Sequence, residues 1–152
     1  MTPTFRHEPK RLLAGTMTIY NGQADATENI PSQWAELMSR EVPELHTATT
    51  LYGASLCSSD GKLHYFTGIE LPNYEGVNSP ARLTLEAGEY AIFTVPDIAD
   101  LRNTWIWALT EWLPTSGRKE RPTPEFERYT APYNPQRASG PIEVCIPLEP
   151  QP

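Results

Sequence analysis

One order of elements occurs twice along the chain, and it limits the fold more than any other feature. Residues 12–20 alternate as a strand and end at Asn21-Gly22, a turn signal. Residues 23–29 are polar and loop-like. Asn29 can cap a helix, with Pro31 in its first turn. Ile30, Trp34, Leu37, Met38 and Val42 then follow at helical spacing until Pro43. Residues 51–57 form a strand, Ser59-Asp60-Gly61 a hairpin turn, and residues 62–71 the returning strand. After a loop over 72–80, residues 82–85 are a short strand and 89–95 a longer one. Pro96-Asp97 opens a second helix, with Ile98, Leu101, Trp105, Leu109 and Trp112 on one face. Pro114-Thr115-Ser116-Gly117 ends it. Residues 118–124 are polar and proline-rich, 125–130 a strand, 132–141 a loop, and 142–148 a cleanly alternating last strand.

Strand–helix–strand–strand thus appears in two halves, about 10–72 and 81–149, with little identity between them. Each unit leaves one sheet face and one helix stripe apolar. Two units are expected to join into one curved antiparallel sheet, an α+β fold with both helices on one face. The seam between the helices is then the expected cleft. At 152 residues the chain is expected to be one domain, with a core that needs no metal or disulfide. His7 reads as lying near a frayed N-terminal end.

Composition removes several classes of function. The net charge of -7 argues against a nucleic-acid face, which needs clustered Lys and Arg, and mildly favours cationic ligands. No apolar run is long enough for a membrane helix, and the N-terminus lacks a signal peptide. Cys57 and Cys145 have no zinc spacing, and the three histidines share none either, so no metal or other cofactor is expected. No nucleophile elbow, phosphate loop or Cys–His pairing is present. A cytoplasmic protein with reduced thiols is the default.

The second half resembles the GyrI-like family, the effector-binding module of AraC- and MerR-type regulators. The resemblance is carried by Ala87-Gly88-Glu89-Tyr90-Ala91, Glu111-Trp112-Leu113-Pro114-Thr115-Ser116-Gly117, Phe126-Glu127-Arg128-Tyr129 and Ile142-Glu143-Val144-Cys145-Ile146-Pro147-Leu148. The first half adds Trp34 and Tyr65-Phe66-Thr67-Gly68-Ile69-Glu70-Leu71, so the likeness runs from about Lys10. It implies a freestanding binding domain with no helix-turn-helix. It also implies that Glu127 matches the buried glutamate that meets a drug's positive charge in a multidrug-binding member, and that Tyr52 matches a pocket tyrosine there. Other members hydrolyse cyclopropane-bearing antibiotics or inhibit gyrase.

The residues themselves fit an aromatic cleft with an acid at its base. Alternation puts Glu125, Glu127 and Tyr129 on one strand face, and Phe126 and Arg128 on the other. A buried carboxylate is costly unless paired, and a cationic ligand relieves that cost. The plainer reading is a solvated strand glutamate, or one paired with Arg128. Tyr52, Tyr90 and Tyr129 are candidate walls through cation–π attraction, against a role as core tyrosines. Trp34, Trp105 and Trp112 lie on the helical stripes, where tryptophan is usually core, with edges that can line the cleft. Glu70 is a candidate second carboxylate across the cleft. Glu111 flanks the stripe and leans into the cleft or, as is usual for a helix-surface glutamate, into water, and Glu143 reads as structural or solvated. Trp107 falls opposite the stripe, which suggests a homodimer or partner surface, or a single exposed ring. The leading expectation is a binder of amphipathic, cationic small molecules. A hydrolase of strained or toxic small molecules comes second, and a protein-interaction role such as gyrase inhibition third.

Overall fold

The computed structural model describes residues 1–39, 50–57, 60–75, 79–130 and 139–151. The expected helix end at Val42-Pro43, Ser59 of the hairpin turn and most of the loop at 132–141 lie outside the described residues. Among those described, eight antiparallel strands form one sheet. They are β1 (Thr4–Glu8), β2 (Arg11–Tyr20), β3 (Thr50–Cys57), β4 (Leu63–Leu71), β5 (Ala81–Leu85), β6 (Gly88–Asp97), β7 (Glu125–Thr130) and β8 (Ser139–Pro147). Helix α1 (Gln23–Met38) joins β2 to β3. A second helical segment joins β6 to β7. It comprises a 3-10 turn (Ile98–Asp100), α2 (Leu101–Trp107), a π-helical stretch (Ala108–Trp112) and a closing turn α3 (Leu113–Thr115).

The strand order is β1-β6-β8-β7-β3-β4-β2-β5, which reads as two mirrored halves joined between β7 and β3. The short strands β1 and β5 each pair with the other half, β1 with β6 and β5 with β2. This exchange forces the sheet to curl. β1 and β2 are six strand positions apart, yet only Pro9 and Lys10 join them. A flat sheet would separate them by about 29 Å at the usual strand spacing. That link reaches only about 10 Å. β5 and β6 impose the same demand through Glu86 and Ala87. The result is an α+β half-barrel.

Each sheet face carries its own core. On the helix side, Tyr65, Phe93, Tyr129, Ile142, Val144 and Ile146 pack with Ala26, Trp34 and Leu37 of α1 and with the second helical segment. On the other face, inside the curl, Leu13, Tyr52, Phe66, Leu85, Tyr90 and Phe126 pack together. An ion-pair chain crosses this second face. Arg128 binds Glu8 at 2.7 Å and Glu143 at 2.9 Å, and Arg11 binds Glu8 at 3.2 Å and Glu70 at 2.9 Å. Arg6 also pairs with Glu143. Glu8 on an edge strand thereby touches arginines on β7 and β2, an arrangement that only a curled sheet permits.

Three expectations are corrected. The N-terminal residues do not fray: β1 pairs in full with β6, and Glu8 is buried. Helix α1 begins at Gln23, not after Asn29. Its first turns look polar because they present a single buried residue, Ala26, while Asn29 turns back to Asp25 (2.7 Å) in solvent. Pro31 is therefore internal to the helix. Trp107 does not face outward. Its ring packs edge-on against Phe93 at 5.8 Å, beside Trp112 at 5.1 Å from the same ring. Residues five apart diverge on an α-helix, but i→i+5 bonding brings them onto one side. The Leu113 N–H donates to the Ala108 carbonyl in this way.

Candidate functional site

β7 lies between β8 and β3, so a side chain on its helix-side face sits near the middle of the sheet. Glu127 occupies that face with only 6% of its surface exposed. Three neutral donors surround its carboxylate. The Tyr65 hydroxyl and the Tyr129 hydroxyl (2.7 Å) both donate to Oε1. The Trp105 indole Nε1–H donates to Oε2 at 2.7 Å. No lysine, arginine or histidine among the described residues is hydrogen-bonded or ion-paired to it. Arg128, its neighbour, turns to the opposite face toward Glu8 and Glu143, so the expected alternative of a Glu127–Arg128 pair does not form.

The sheet fixes two of these donors. Tyr65 is on β4, and β3 separates it from Glu127. Across that gap of about 10 Å, the register places Gly53 directly opposite Glu127. With no side chain at Gly53, the Tyr65 ring reaches over β3 to the carboxylate. Helix α1 holds Tyr65 from above: Gln33, buried, donates to the Tyr65 carbonyl (2.8 Å) and accepts from the Tyr20 hydroxyl (2.7 Å). Trp34 stands edge-on to Tyr129 with ring centres 5.3 Å apart. α1 thus supplies Trp34 and α2 supplies Trp105, and Glu127 lies at the seam between them.

Burial raises the Glu127 pKa above its ordinary value, and the hydrogen bonds from Tyr65, Tyr129 and Trp105 partly offset it. Burial, reinforced by the charge of Glu127, pushes Tyr65 well up. Two residues away, Glu125 is raised to about 9, first by burial and then by the facing carboxylate of Glu120; Ser55 Oγ lies 3.4 Å from it. A carboxyl so placed keeps its proton at neutral pH. Among the described residues, this face therefore holds carboxyl groups and aromatic rings and sets no cation against Glu127.

The structure gathers only part of the expected set. Glu127, Tyr129, Trp105 and Trp34 come together. Trp112 lies on the same side but packs against Phe93 and Phe5. Tyr52 and Tyr90 lie on the other face, inside the curl, against Phe126. Strand pairing decided the face of Tyr52, since it is opposite Arg128 while Gly53 is opposite Glu127. Glu70 is likewise on the far face, bound to Arg11. Glu111 is exposed, as expected for a solvated helix residue. Tyr65 and Gly53 were not among the expected site residues. Their signal was a glycine inside a strand, which marks close approach by another group. A shallow hollow of about 460 Å³, lined by His7, Gly88, Glu89, Arg121 and Leu148 among others, lies apart from this site. Among the described residues, no three His, Cys, Asp or Glu are grouped to hold a metal, and no helix is long and apolar enough to cross a membrane.

A mirrored half-barrel with two helical segments over one face, and a buried acid at their seam, is the architecture of a small-molecule-binding domain. The chain belongs to the GyrI-like small-molecule-binding domain family, whose model matches residues 1–149. Solved structures share the fold at low identity. SAV2435 bound to tetraphenylphosphonium is 17% identical with a TM-score of 0.74, over 98% of this chain and 94% of that one. A protein from Staphylococcus aureus MU50 is 15% identical with a TM-score of 0.70, over 99% of both chains. The EcmrR C-terminal domain is 14% identical with a TM-score of 0.59, over 96% of both. No curated protein sequence matches the chain.

Proposed function

We propose that this domain binds lipophilic, drug-like cations at the seam between its helices, with Glu127 as the counter-charge. One observation carries the reading: a carboxylate 6% exposed receives three hydrogen bonds, all from neutral groups. Buried charges are ordinarily paired. Here the Glu127 carboxylate is surrounded by indole and phenol groups, whose rings attract an aromatic or quaternary cation. Tetraphenylphosphonium, the ligand bound to SAV2435, has this chemistry. Tyr65 and Tyr129 hold the carboxylate in place, and Trp34 and Trp105 form the walls.

Calorimetric titration with tetraphenylphosphonium tests this. Saturable binding is expected, and Glu127→Gln is expected to weaken it at least tenfold, which corresponds to about 1.4 kcal/mol. Equal binding by both proteins would remove Glu127 from the reading. A second reading, hydrolysis of strained small molecules, draws on the raised Glu127 carboxyl beside the Tyr65 hydroxyl, a pair suited to proton transfer. Product formation from a cyclopropane-bearing substrate, followed by mass spectrometry, decides that case.

A further inference from the structure

We propose that Trp105 acts as a built-in competitor for Glu127, and that a ligand must displace its indole N–H before it can meet the carboxylate. The inference rests on the cation-binding reading above and adds a residue that sets which ligands can enter. The three donors to Glu127 are not equivalent. Tyr65 and Tyr129 belong to the sheet, are 4% and 1% exposed, and share Oε1. Trp105 alone comes from the second helical segment, is only half-buried, and alone holds Oε2. The indole therefore stands between solvent and the acceptor a cation would use.

The helix around Trp105 has a second anchor on the same sheet face. Trp107 and Trp112 both pack edge-on against Phe93, and the π-helical stretch that aligns them begins one residue after Trp107. Trp105 can turn its ring while these two contacts keep the segment on the sheet. A neutral aromatic molecule that displaced the indole would leave Oε2 without a donor. A positive charge compensates for that loss through Coulomb attraction to the carboxylate, which is strong away from water. Trp105 thus sets a threshold that favours charged ligands over neutral ones of similar shape.

The test uses the full chain and tetraphenylphosphonium, with triphenylphosphine oxide as a neutral comparison. Trp105→Phe keeps a ring and removes the N–H. It is expected to tighten tetraphenylphosphonium binding by about tenfold, the scale of one lost competing hydrogen bond to a charged group. It is also expected to bring the neutral compound into the measurable range. Unchanged or weaker cation binding by Trp105→Phe overturns the proposal, since the indole would then be only a wall. In the unaltered protein, the Trp105 indole N–H resonance, assigned by its absence from Trp105→Phe, is expected to shift on titration. A resonance that stays fixed at saturation also overturns it. Failure of the underlying reading looks different: Glu127→Gln would then bind tetraphenylphosphonium as well as the unaltered protein.

Discussion

A methyl group on Gly53 would stand 2.2 Å from the Tyr65 hydroxyl and 2.7 Å from Glu127 Oε1. The residue with the least chemistry in the site therefore decides whether its carboxylate keeps a hydrogen-bond partner. Gly53→Ala is expected to push Tyr65 off Glu127 and to destabilise the fold by about 1–3 kcal/mol, the range for overpacking. Denaturant unfolding checks the stability, and cation affinity should fall with it. Protons at this face also act on stability. Glu125 and Glu127 both have raised pKa values, so the folded state holds their protons more tightly than the unfolded chain. Their contribution is complete below the ordinary value of 4.5 and is lost as pH rises, for Glu125 through about 9. Unfolding midpoints are expected to fall across that range, and Glu125→Gln is expected to flatten the slope. A slope unchanged in that variant would mean Glu125 does not hold its proton. Glu8 has the opposite sign. Burial raises its pKa, but hydrogen bonds and charge from Arg128 and Arg11 outweigh this and lower it, so its stabilisation is lost as pH falls below 4.5.

The second helical segment shows what periodicity can and cannot tell. Ile98, Leu101, Trp105, Leu109 and Trp112 were legible as a stripe, and all pack against the helix-side core. Trp107 was not legible, because the stripe assumes 3.6 residues per turn and the chain changes period at Ala108. That change responds to Phe93, which accepts two indole rings where a regular helix would offer one. Trp107→Ala is therefore expected to cost about 2 kcal/mol, below the roughly 3–5 kcal/mol of a core aromatic because the ring is only partly buried. Chemical denaturation measures it, and a cost near zero would return Trp107 to the surface. The strands were easier to read. β2, β4, β6 and β7 lie within two residues of the expected limits, because alternation and turn residues are local signals. β1 was missed because four of its five residues are exposed and show no apolar alternation, and its partner, β6, is 80 to 88 positions away.

At the scale of the molecule, the curl depends on two-residue links and on one chain of charges. Glu8 bridges Arg128 and Arg11, joining β1 to β7 and β2 across the inside of the half-barrel. Removing it leaves two arginines, each more than four-fifths buried at the side chain, with fewer counter-charges. Glu8→Ala is expected to cost about 3 kcal/mol, as for other broken buried pairs. The loss should appear in thermal or denaturant unfolding at neutral pH. A cost below about 0.5 kcal/mol would place the pair with ordinary surface bridges.

The sequence by itself determined most of the elements, their doubled order, the absence of a metal spacing and the placing of Glu127 beside Tyr129 and away from Arg128. Each of these follows from local period and residue type. It also carried the family likeness, through motifs that stay short and contiguous. Only the tertiary structure decided which tyrosines share a face with Glu127, since that depends on register between strands far apart in the chain. Register set Tyr52 inside the curl and Gly53 beneath Tyr65, and among the described residues it left Glu127 with neutral donors and no cation.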